Sequence, residues 1–124
     1  MLPESQILRI RKEMERFYDG RCTITEHQPY KRPNGSTGFQ TVDVLTDQPC
    51  RLSYSSNSAS GKGERTSQQS QTIKVFMDPE VEVRPGSRIT ITQNGRTVAY
   101  TQSGQPAVYA THQEILLELW KEWT

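Results

Sequence analysis

The stretch RITITQNGRTVAYTQ, from Arg88 to Gln102, constrains the fold of this chain more than any other. Two runs rich in β-branched residues alternate apolar and polar side chains on either side of Asn94-Gly95. That pair is the one best suited to a two-residue type I′ turn, because both positions require positive φ. The hairpin anchors the reading of everything around it.

The same period of two recurs along most of the chain. RCTITEHQ (21–28), FQTVDVLT (39–46), CRLSY (50–54) and TIKVFM (72–77) read as strands, the last with Ile73, Val75 and Met77 on one face. PYKRPNGSTG (29–38) reads as a turn-rich loop. Pro79 and Pro85-Gly86 bracket a short EVEV piece.

Ahead of these strands, LPESQILRIRKEMERFYDG changes the period. Ile7, Ile10, Met14, Phe17 and Tyr18 form a helical stripe, and Asp19-Gly20 supplies the stop. The opposite face carries Arg9, Lys12, Glu13 and Arg16, either solvated or docked on another subunit. The C-terminal ATHQEILLELWKEW fits two patterns. Thr111 with Glu114 makes a capping box for a helix, while Ile115, Leu117 and Leu119 alternate as in a strand. One helix and about seven short β segments define a mainly β chain: a small antiparallel β-barrel or sandwich with an N-terminal α-helix.

Between the strands lies SYSSNSASGKGERTSQQSQT (53–72), in which only Tyr54 and Ala59 are apolar. Such a stretch buries nothing, so a long flexible central loop is expected at 55–71. The division is therefore a helix at 1–20, a β-barrel from 21–54 and 72–123, and this loop, all within one domain of 124 residues.

Composition narrows the function. Fifteen basic against 14 acidic residues leave a net charge of +1, unlike the basic excess of general nucleic-acid binders. A hydrophobic content of 32% and a mean hydropathy of −0.77 suit a domain whose burial is completed by partners. Glu4, Arg9, Arg11 and Lys12 interrupt any apolar leader at the N-terminus, and no run approaches spanning length. A soluble intracellular chain without membrane contact is expected.

No catalytic motif is present. His27 and His112 lack partners at ligand spacing, so no metal is expected, and no cofactor motif occurs. Asp43 with Asp47, and Glu80 with Glu82, read as solvated edges rather than acid–base pairs. Cys22 and Cys50 read as buried reduced thiols. Tyr54, Phe76, Tyr100 and Tyr109 are core residues or, in the alternative, a base-stacking platform of an OB-like barrel binding single-stranded nucleic acid. Trp120 and Trp123 either close the core or cover a partner.

Taken together, CRLSY, DPEVEV, PGSRITITQNG and SGQPAVYATHQEI, in this order and spacing, resemble the minor capsid proteins of the head–tail connector of tailed phages. The likeness is strongest to connector proteins of phage-like elements in Gram-positive bacterial genomes, and with the N-terminal helix it covers nearly the whole chain. The resemblance implies a small barrel with peripheral helices, assembled as a homo-oligomeric ring of six or twelve copies. It implies a head-closure role in the virion neck, with a portal or adaptor protein on the head side and a tail completion or tail terminator protein on the tail side. Packaged double-stranded DNA would pass through the channel, and assembly would take place in the host bacterial cytoplasm. The resemblance implies a strand, not a helix, at 113–119, and no catalytic residues.

Within that frame Arg9, Lys12, Arg16, Trp120 and Trp123 are the candidate interface residues. The central loop is expected to face the channel and gate DNA, with Lys62 and Arg65 forming a positive band partly offset by Glu64. An outward-facing insertion is the other reading of that loop.

Overall fold

The structure, a computed structural model, describes residues 2–58 and 69–123. The helix α1 (Glu4–Glu15) is followed by strands β1 (Gly20–Lys31), β2 (Thr37–Ser58), β3 (Gln69–Met77), β4 (Arg88–Gln93), β5 (Arg96–Gln102), β6 (Ala107–Val108) and β7 (Gln113–Leu119). Hydrogen bonding runs β3-β2-β1-β4-β5-β7-β6, and a further pairing of β3 with β7 closes the sheet on itself. All the pairings are antiparallel. Closure gives β3 a partner on both sides, where an open sheet would leave it an edge strand.

Alternation decides what fills the interior. Cys22 and Ile24, Cys50 and Leu52, Val75 and Met77, Ile89 and Ile91, Tyr100, and Ile115 and Leu117 all point inward and are buried. Successive residues of a strand face opposite sides, so these pairs two apart define one wall each. Val83 joins them from the segment between β3 and β4, where the EVEV piece forms no strand.

The Asn94-Gly95 hairpin is as expected, with φ of 54° and 75° at the two turn residues. The C-terminal segment is a strand. β7 bonds to β3 through Gln113–Leu117 and to β5 through Leu117–Leu119, and a helix there would leave both of those edges open.

Several boundaries differ from the sequence reading. The loop read at 29–38 narrows to 32–36, because β1 runs on to Lys31 and pairs there with Thr37 of β2. The helix ends at Glu15, with Arg16 still in helical conformation as its C-cap, so Phe17 lies off the stripe and is 72% exposed. Gly20 opens β1 rather than closing the helix. The segments 39–46 and 50–54 are one strand, because β2 absorbs the interruption as bulges. Its register against β1 slips between Ile24↔Leu45 and Cys22↔Gln48, where Asp47 takes a φ of 54°.

The polar stretch also shrinks. β2 continues to Ser58 and β3 starts at Gln69, paired in register from Ser55↔Thr72 to Ser58↔Gln69. The loop expected over 55–71 is thus a backbone ladder at both flanks, since main-chain bonds need no apolar side chains. Lys62, Glu64 and Arg65 lie outside the described residues, and the DNA-gating expectation lies there with them.

Candidate subunit interface

α1 is an unusual helix for so small a domain, because none of its residues is buried. Ile7, Ile10 and Met14 turn toward the barrel and are half-buried, while Leu8 stays half-exposed on another face. Polar bonds hold the helix in place. Arg11 donates from Nε to the Ala110 carbonyl at 2.9 Å and pairs with Glu80 Oε2 at 3.3 Å. Arg11 is the anchor that periodicity missed. Its signal was an arginine inside the apolar stripe, one residue after Ile10 and three before Met14.

Opposite the helix, β1 and β2 form a second wall. The groove between them has a volume of about 1190 Å³. Arg9 and Lys12 line its helix side, Glu26 and Gln28 its strand side, and Asp78, Glu80 and Glu82 contribute acidic groups along it. Leu8, Val44 and Val81 supply apolar surface. Arg16, grouped with Arg9 and Lys12 from sequence, is not part of the groove lining and pairs within the helix to Glu13 at 3.2 Å.

The segment carrying Asp78 and Val81 is clamped from inside the barrel. Gln113 is buried and donates both amide hydrogens, to Asp78 O at 2.9 Å and Val81 O at 2.7 Å. Next to it on the outer face of β7, Glu114 bonds His112 Nε2 at 2.9 Å and Lys74 Nζ at 3.3 Å. The His112 bond, more than burial and Lys74, sets the balance, and the Glu114 carboxyl is held below its ordinary value. Tyr109 stacks on His112 with ring centroids 4.9 Å apart.

Trp120 and Trp123 pack on their own chain. Their rings meet edge to face at 4.4 Å, Arg88 lies 5.4 Å from the Trp123 centroid, and His27 stacks between Trp123 and Phe39 at 5.0 and 4.9 Å. Both tryptophans remain only partly buried. Trp123 thereby pins the C-terminal segment to β1 at His27.

The other candidates separate. Asp43 accepts from Thr25 Oγ1 at 2.7 Å, whereas Asp47 faces Arg21 at 3.6 Å, so the two carboxylates serve different partners. Tyr100 is buried with its hydroxyl 3.4 Å from that of Tyr54, and burial followed by this bond pushes its pKa up to about 12. A buried Tyr100 offers no face for base stacking. Cys22 and Cys50 are free and buried, and the Cys50 thiol is pushed up by its bond to Cys22 and by burial. Among the described residues no group of three His, Cys, Asp or Glu is placed to hold a metal ion, and no helix is long and apolar enough to cross a membrane.

No protein-family model matches the chain, and no curated protein matches it. Among solved structures, the phage-like element PBSX protein xkdH from Bacillus subtilis is similar, with 13% identity and a TM-score of 0.48 over 80% of this chain and 91% of that one. A likeness of that degree decides neither fold nor role.

Proposed function

We propose that this chain is a non-catalytic structural subunit of a phage head–tail connector, assembling as a homo-oligomeric ring that closes the DNA-filled head and presents a docking surface for the tail. The observation that carries the reading is α1: a helix with no buried residue, pinned by Arg11 beside a large mixed-charge groove. Such an element is completed by a neighbour rather than by its own core. The sequence resemblance supplies the setting, and the xkdH likeness is too distant to add to it. In this reading the ring sits in the virion neck, between a portal or adaptor and a tail completion or terminator protein, around packaged double-stranded DNA. Single-stranded nucleic-acid binding is the weaker reading, since Tyr100 is buried with its hydroxyl against that of Tyr54, while Phe76 and Tyr109 pack against His112 instead.

Deleting the gene from its phage or phage-like element tests this. Heads without attached tails, and heads that have lost their DNA, are expected in electron micrographs. Normal tailed, filled particles would overturn the proposal.

A further inference from the structure

α1 stands apart from the barrel that carries it. Among the described residues no strand runs alongside it, and none of its own residues is buried. It is 12 residues long, and Pro3 ahead of it supplies no side-chain cap. A helix of that length is marginal in water, so it holds its shape only when seated on a protein surface. The polar contacts that seat it run through Arg11, which donates to the Ala110 carbonyl between β6 and β7 and pairs with Glu80 between β3 and β4. Both points lie at the surface, and the Glu80 side chain is 77% exposed.

The link from helix to barrel is short and carries little packing. Arg16 and Phe17 are exposed, whereas Tyr18 is buried and fixes the chain just before β1 begins. Two backbone bonds fold the link against the helix, from Phe17 N–H to Met14 O and from Tyr18 N–H to Glu15 O, both at 3.0 Å. Opening the link exchanges these bonds for bonds to water, at a modest net cost. A two-residue hinge therefore separates a lightly held helix from a fixed barrel.

We infer that α1 is an exchanged element: in the assembled ring the helix of each subunit seats on the barrel of the next, through the same Arg11 contacts. The seat within one chain already fits the helix, so the seat on a second copy fits it equally and no new complementarity is needed. The link decides between the two seats. Phe17, 72% exposed in the single chain, lies at the subunit boundary once the helix has crossed it, and covering it there favours exchange. Arg11 precedes Arg16 by only five residues, so the turn after β6 in the acceptor abuts the link of the donor. Helix and seat are different surfaces, so exchange passes head-to-tail from copy to copy and closes as a ring. The inference rests on the ring reading above for its supply of neighbours.

The test reverses the ion pair on separate chains. Arg11→Glu sets a carboxylate against Glu80, and Glu80→Arg sets a guanidinium against Arg11. Within one chain neither mismatch is relieved by adding the other variant. Across an exchanged boundary, alternating subunits restore opposite charges at every seat: the reversed helix meets the reversed seat, and the two natural halves meet likewise. Each variant alone should self-associate and enter particles about tenfold more weakly than the natural chain, and an equal mixture should recover most of the loss. Phe17→Ser should also weaken association, with an unchanged melting temperature. A mixture as poor as its separate variants places the seat within one chain and overturns the exchange, leaving the connector reading standing. Variants that each assemble like the natural chain do the same. Should a reversal unfold the barrel, Phe17→Ser decides alone, and association equal to the natural chain's overturns the exchange. Recovery as closed pairs instead of rings upholds the exchange and sinks the ring. A natural chain that neither self-associates nor enters particles overturns both.

Discussion

Gln93 reads the backbone of Leu52 with both ends of its side-chain amide. Oε1 accepts the Leu52 N–H at 2.8 Å, and Nε2 lies 3.4 Å from the Leu52 carbonyl. β1 begins at Gly20, opposite Cys50, so beyond that point β2 has lost its partner on this side. The glutamine side chain stands in for the missing strand. Gln93→Met keeps the volume and removes both bonds, leaving two backbone groups unpaired. A loss of about 1–3 kcal/mol is expected in urea unfolding.

Gly20 is coupled to that arrangement. A Cβ there would lie 2.8 Å from Gln93 Oε1 and 3.0 Å from Cys50 O. Gly20→Ala should therefore destabilise, and by less in the Gln93→Ala background, where one of the two clashes is gone. A double-mutant cycle measures the difference, and strict additivity would show that the glutamine moves aside freely.

The Asn94-Gly95 turn is expected to act on folding rather than on assembly. Gly95 has a φ of 75°, which a β-branched residue adopts only under strain of order 1–3 kcal/mol. Gly95→Val should lower the urea midpoint accordingly, while Gly95→Asn, compatible with positive φ, should lose much less.

Glu114 makes stability depend on acid pH. Its carboxyl is held below the ordinary value, chiefly by His112. The ionised form is thus favoured more in the folded state than in the unfolded one. Its contribution is complete above the unfolded pKa of about 4.3 and fades as pH falls through the lower folded value. Unfolding free energies measured from pH 6 to pH 3 should fall less steeply for Glu114→Gln than for the natural chain.

Charge reversal on α1 should separate assembly from folding. Arg9→Glu with Lys12→Glu should leave stability within about 0.5 kcal/mol, because both are exposed, but reduce incorporation into particles. Arg16→Glu should have little effect on incorporation, since Arg16 pairs with Glu13 outside the groove lining. Incorporation of the double variant equal to that of the natural chain would show that the groove contacts nothing.

Alternation by itself determined the wall of the barrel. Ile89 and Ile91, Val75 and Met77, and the hairpin turn at Asn94-Gly95 follow from period two and from turn chemistry, both of which are local. The strand at 113–119 was not local. Its residues fit either period, and only the open edges of β3 and β5 settled it. The same holds for β2, which crosses Asp47 and Pro49 because pairing to β1 and then β3 outweighs a break that looks decisive in sequence. The groove is the clearest case. Arg9 and Lys12 were legible as a charged helix face, but Arg11 as anchor on Ala110 and Gln113 as clamp on Asp78 and Val81 join residues far apart in sequence. Contacts of that kind depend on the path of the whole sheet, and no spacing along the chain encodes them.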